Sequence, residues 1–276
     1  MIKKKYHFLL KIFGLIPVEQ KRISMNKIRV IARLDVKNEF VIKGIHLEGL
    51  RKIGNPNEIA KKYYEEGIDE IIFMDAVAAY YDRNSLSHII EEACKDVFVP
   101  ITVGGGIRTI EDIQNALNAG ADKVAINTKA ITDPKFIEQA SKVFGSQCIV
   151  SSIVAKKIAD NKWEVYIDNG REPTGLDVIE WARKVETLGA GEIMLTSIDM
   201  EGTKKGFDIE LNKAVSSVVS IPVIASGGAG KNEDIVNLLT NAKIDAVSMA
   251  SLFHYNLSTV TSVKQAMTDK HIRVRI

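Results

Sequence analysis

Eight short apolar runs alternate with amphipathic segments of helical spacing along these 276 residues, and the chain repeats itself at an offset of 122. Together the two patterns predict an α/β fold: a closed (β/α)8 TIM barrel built from two half-barrels. The runs are continuous rather than alternating, as strands buried on both faces should be. They fall at Arg29–Val36, Glu70–Asp75, Ile101–Gly104, Lys123–Asn127, Cys148–Ala155, Glu192–Ser197, Val223–Ser226 and Ala246–Ala250. The repeat aligns Pro100–Gly106 with Pro222–Gly228, and Gly67 and Glu70-Ile71 with Gly189 and Glu192-Ile193. It places four strands in each half, which an open doubly wound sheet does not explain.

Helices are predicted between the strands at Pro56–Glu66, Ser85–Lys95, Thr109–Ala119, Pro134–Phe144, Asp177–Leu188, Ile209–Val218 and Asn232–Thr240. Thr109 with Asp112, and Asp133 before Pro134, supply capping oxygens. Lys156–Gly170, with Asp160-Asn161 at its turn, reads as a hairpin extending the fifth run.

The barrel domain is expected over 25–276. Residues 1–24, basic and then apolar, are read as an N-terminal extension outside the fold; Lys11 and His7 interrupt the apolar run, and no cleavage site follows. A net charge of +2 gives no electrostatic case for nucleic acid or an acidic membrane, and the expected location is cytoplasmic. Cys94 and Cys148 lack CxxC spacing and are expected to be small buried residues in a reducing compartment. His46, His88, His254 and His271 are scattered, so no metal or cofactor is expected.

Chemistry in such a barrel belongs at the C-terminal ends of its strands. Asp35 ends the first run and is the candidate acid/base; the alternative is a loop cap or a partner for Lys37. The equivalent position in the second half is Val154, which cannot transfer a proton. Asp75 ends the second run, to orient substrate or to serve structure alone. Asn127, Thr196, Asp199 and Gly202 end the fourth and sixth runs or follow them, with Asp199 the best acid of a polar loop. Gly105-Gly106 and Gly227-Gly228 are the anion-binding candidates, since backbone N–H groups without a neighbouring Cβ approach phosphate closely. Ser226 and Ser251 join them, and the matched pair predicts a substrate with two phosphates. At the strand starts, Arg29, Glu70, Lys123 and Glu192 form a ring of alternating charge: a stabilising seal, or a gate for a small molecule.

From Met25 to about Arg275 the chain resembles the cyclase subunit of imidazole glycerol phosphate synthase, the HisF family. The resemblance rests on Leu34–Lys37, Thr102–Ile107, Gly120–Asn127, Phe144–Gln147, Gly189–Thr203 and Ile224–Lys231. The sister phosphoribosyl isomerases fit the ring and Phe144–Gln147 less well. The resemblance implies a glutaminase partner docked on the N-terminal face and ammonia passing Arg29, Glu70, Lys123 and Glu192. It also implies cyclisation and cleavage of a bis-phosphorylated ribulosyl-formimino substrate, with one catalytic aspartate per half. The first matches Asp35; the second falls at Val154, and Asn38-Glu39-Phe40 replaces the usual turn. That departure leaves two other readings: a paralogue relaying ammonia for amidine formation on a bacterial surface sugar, and a non-catalytic docking partner.

Overall fold

A computed structural model describes residues 27–76, 78 and 86–275. The extension at 1–24, Met25 and the expected helix start at Ser85 lie outside the described residues. Eight parallel strands close on themselves: β1 (Arg29–Lys37), β4 (Glu70–Asp75), β5 (Ile101–Gly104), β6 (Lys123–Ile126), β7 (Ile149–Ala159), β10 (Glu192–Ser197), β11 (Val223–Ser226) and β12 (Ala246–Met249). Pairing of β10 with both β11 and β7, and of β12 with β1, completes the circuit. The chain is therefore a (β/α)8 barrel.

Four further strands lie off it. β2 (Phe40–Ile45) and β3 (Glu48–Gly54) continue antiparallel from β1. β8 (Lys162–Ile167) and β9 (Glu172–Asp177) continue antiparallel from β7. The predicted hairpin turns at Asp160-Asn161, where Asn161 takes a positive φ of 55°. The β2–β3 hairpin was not expected; its strands are half polar and carry glycine.

The larger helices that wrap the barrel are α1 (Pro56–Glu65), α2 (Ser87–Ala93), α3 (Ile110–Asn118), α5 (Lys135–Phe144), α6 (Val178–Thr187), α7 (Ile209–Ser216), α8 (Asn232–Asn241) and α10 (Val260–Thr268). Two short turns, α4 (Thr128–Thr132) and α9 (Ser251–His254), follow β6 and β12. Capping explains several starts. Asn55 accepts from Asn57 and Glu58 N–H with Pro56 at the first helical position, and Thr109 and Asp112 form a reciprocal box. Asp133 does not cap α5. Its carboxylate pairs with Lys129 Nζ at 3.0 Å one turn earlier, and Pro134 is the cap residue. Cys94 and Cys148 are free and half-buried rather than enclosed.

Side chains alternate along each strand, so every second residue faces the barrel axis. On β1, Val30, Ala32, Leu34 and Val36 pack outward on the helices, while Arg29, Ile31, Arg33 and Asp35 point inward. This stacks the interior in layers. Arg29, Glu70, Lys123 and Glu192 form the lowest. Above lies an apolar layer of Ile31, Ile72, Ala125, Val150, Met194, Ile224 and Ala246. Arg33, Asn127, Ser152, Thr196, Ser226 and Ser248 come next, one step below the rim.

Candidate functional site

At the strand starts the four charges do form a closed ring. Arg29 Nη1 donates to Glu70 Oε1 at 2.7 Å and Nη2 to Glu192 Oε1. Lys123 Nζ donates to Glu70 Oε2 at 3.1 Å and Glu192 Oε2 at 3.0 Å. Each carboxylate thus spends one oxygen on each cation. Burial works against the Arg29 charge, but Glu192 and Glu70 outweigh it and raise its pKa. Below lies an open dish of about 410 Å³, lined by Lys27, Gln147, Asp245 and ring members.

At the strand ends Asp35 is buried and belongs to a chain of four charges. Arg33 Nε donates to Asp35 Oδ1 at 2.8 Å, Lys43 Nζ lies 3.6 Å from Asp35 Oδ2, and the same Nζ donates to Glu201 Oε1. Burial pushes the Asp35 carboxyl up, yet Arg33 and Lys43 together hold it below its ordinary range. Burial lowers the Lys43 ammonium to about 8. His254, close by, accepts or donates at Nδ1 to Tyr63 Oη at 2.7 Å; burial first and Lys43 second push it down to about 4, so the ring is neutral at pH 7. Lys37 is exposed and does not pair with Asp35.

The remaining candidates divide between two cavities. One, of about 350 Å³, is lined by Gly105, Gly106, Asn127, Asp75, Thr128, Lys129, Arg108, Asp168 and Arg33. Gly105 must be glycine: its φ is +89° and a Cβ would strike the Asp75 carbonyl. Asn127 Nδ2 donates to the carbonyls of Ser152 (2.9 Å) and Tyr166 (3.2 Å), tying β6 to β7 and the second hairpin. The other cavity is only about 10 Å³; Gly202, Ser226, Gly227, Gly228, Ser248, Ser251, Glu201 and again Arg33 line it. Thr196 and Ser226 accept from Arg33 Nη1 at 3.2 and 3.4 Å. The two glycine corners thus line adjoining cavities that share Arg33. Arg33 stands between them.

Asp199 lies apart from the other candidates. Its carboxylate accepts from the Lys157 backbone N–H at 2.8 Å, outside both cavities, where it braces β7. The acid of that loop which reaches the interior is Glu201, two residues on and 4% exposed. Arg33, Lys43 and Glu201 were missed. Arg33 was legible from the period of two on β1, which puts it on the same face as Arg29 and Asp35. Lys43 and Glu201 depend on the unforeseen β2–β3 hairpin. That hairpin docks on the loop after β10, with His46 N–H donating to Glu201 O at 2.8 Å and His46 Nδ1–H to Ile198 O at 2.8 Å. Leu47 at its tip packs with Val154 and Ile198 in a small apolar cluster. Among the described residues no group of His, Cys, Asp or Glu is arranged to hold a metal, and no helix is long and apolar enough to cross a membrane.

A two-half (β/α)8 barrel with a charged ring below and polar cavities above is the class that fold and site define. Comparison narrows it. The histidine biosynthesis protein family matches residues 29–259. The imidazole glycerol phosphate synthase subunit HisF of Legionella pneumophila is 60% identical over 210 residues, 76% of this chain and 99% of that protein. The HisF subunit of Bacillus cereus is 48% identical over 248 residues, 90% of this chain and 98% of that protein. The chain belongs to the HisF family of histidine biosynthesis proteins.

Proposed function

We propose that this chain is the ammonia-accepting barrel of a glutamine-dependent synthase, with a glutaminase docked over the dish on its N-terminal face. The stacking of the closed ring, the apolar layer and the 350 Å³ cavity on one axis carries this reading. Ammonia is small and neutral. It crosses an apolar layer at a cost that ammonium, a charge needing desolvation, cannot meet. The acceptor waits above, phosphate against Gly105–Gly106, with Asn127 and Thr128 beside it.

What happens to the ammonia divides two readings. The relatives carry the name of imidazole glycerol phosphate synthase, which supports the cyclase/lyase reaction with Asp35 as acid/base. The geometry at the rim supports the other reading better: ammonia passes to a different phosphorylated acceptor and no ring is closed. Asp35 is clamped by Arg33 and Lys43, a poor arrangement for a group that must gain and lose a proton. Val154 sits with Leu47 and Ile198, so the opposite rim offers no second acid.

The purified chain, given ammonium chloride and the bis-phosphorylated ribulosyl-formimino substrate, tests this. Ring closure is expected at least about a thousandfold below an ordinary kcat of roughly 10 s⁻¹. It is expected to stay there in Val154→Asp, because Arg33 still holds Asp35. Wild-type turnover at the ordinary rate installs the cyclase reading instead.

A further inference from the structure

We propose that Val154 and Leu47 form an apolar wall of the larger cavity, and that the acceptor bound there presents a compact hydrocarbon group, alkyl or aryl, to that wall. The inference rests on the reading of the upper rim as an acceptor site; it deepens that reading by naming the substrate class.

Val154 faces the axis. Along β7 the period of two runs from Val150 in the apolar layer through Ser152 to Val154, and the last two line the cavity of about 350 Å³. Leu47, at the tip of the first hairpin, lines the same cavity and packs on Val154. Ile198 and Tyr166 back the pair without lining the cavity, and Tyr166 is the cross-strand partner of Val154 on β8. Elsewhere in the lining Arg108, Asn127, Thr128 and Lys129 supply polar contacts; the wall supplies none. A hydroxyl held against Val154 and Leu47 gives up its water and gains no partner. A hydrocarbon group in the same place loses nothing and takes apolar surface out of water.

The backbone shows that Leu47 is there for its side chain. His46 and Leu47 both take left-handed conformations, with φ of 52° and 65°. Glycine, asparagine and aspartate suit such a turn, whereas a leucine is strained in it. The strain is held by His46, whose N–H donates to Glu201 O and whose Nδ1–H donates to Ile198 O, each at 2.8 Å. The second hairpin makes room for the leucine. A Cβ on Gly170 would stand 2.8 Å from Leu47 Cδ1 and 3.1 Å from Ile198 Cδ1. Three separate segments thus converge to set one apolar side chain against Val154, at the rim of a cavity that is polar nearby.

Calorimetric titration of the full chain with methyl, isobutyl and benzyl phosphate tests the proposal, because the three share a charged end and differ in hydrocarbon. The tighter of isobutyl and benzyl phosphate should exceed methyl phosphate by at least about fivefold, and which of the two wins tells an alkyl group from an aryl one. That advantage should fall by at least about threefold in Val154→Asp and in Leu47→Asn. Asparagine suits the left-handed turn, so Leu47→Asn keeps the fold and should bind methyl phosphate within about threefold of wild type. A smaller wild-type advantage overturns the proposal, as does a smaller fall in either folded variant, or no binding of any of the three at millimolar concentration. Should Val154→Asp not fold, Leu47→Asn and the equally shaped Val154→Thr decide by the same ratio. Binding of methyl phosphate with no hydrocarbon advantage keeps the acceptor-site reading and loses this inference. A chain that shows the advantage but never docks a glutaminase keeps this inference and loses the ammonia reading.

Discussion

Two sets of four charges stand at opposite ends of the barrel, each with a foot on β1. The lower set, Arg29, Glu70, Lys123 and Glu192, is a cycle: every member has two partners. The upper set, Arg33, Asp35, Lys43 and Glu201, is a line: Arg33 meets Asp35, Asp35 meets Lys43, Lys43 meets Glu201. Both sum to zero. The cycle faces an open dish, and its cations keep side-chain exposures of 22% and 17%. The line is sealed, with Lys43 at 3% and Glu201 at 5%. Equal arithmetic thus gives different chemistry. A cycle at a mouth leaves no lone charge to snare a passing molecule, whereas a sealed line ties down the one carboxylate a proton transfer would need.

The difference is measurable. Lys43→Met should hurt most, since it leaves Glu201 buried without an ion-pair partner among the described residues; unfolding free energy by urea should fall by about 3–5 kcal/mol. A loss below about 1 kcal/mol would mean that water reaches the upper set and that it is not sealed. Glu192→Gln should cost less, about 1–2 kcal/mol, because Arg29 and Lys123 keep Glu70 and can turn to the dish. If the two losses came out equal, the contrast between line and cycle would be broken.

The smallest effect is acid-dependent. The folded Asp35 pKa lies below its ordinary 3.8, so the stabilisation it brings is fully present above that value and fades as pH falls through the folded one. Wild type should therefore lose stability more steeply than Asp35→Asn below about pH 4. Parallel acid limbs would show that Arg33 and Lys43 do not grip the carboxylate.

Much of the architecture was legible because barrel strands are read one at a time. Continuous apolar runs, spaced by helix patterns and repeated at 122, specify eight strands whatever their neighbours. The ring was legible for the same reason: Glu70 and Glu192 are repeat partners at strand starts, and Arg29 and Lys123 open theirs. The rim was harder. Val154 shows its missing carboxylate in the sequence, but its contacts with Leu47 and Ile198 come from two distant loops. Asp199 and Glu201 are two residues apart on one irregular loop, where no period tells which turns inward. Arg33 looked like one polar letter in an apolar run; only the count of two along the strand reveals that it shares the axis with Asp35.

The pair of side hairpins repeats the two-half plan outside the barrel itself. β2 begins at Phe40 and β8 at Lys162, again 122 positions apart, each folding back from the first strand of its half. Each half of the fold thus carries the same appendage after its first strand, and Asp35 and Val154 stand at matching places just before it. A segment of one half, strand and hairpin together, therefore has a ready-made counterpart in the other, and exchanging the two within this chain would move a rim without building a new one.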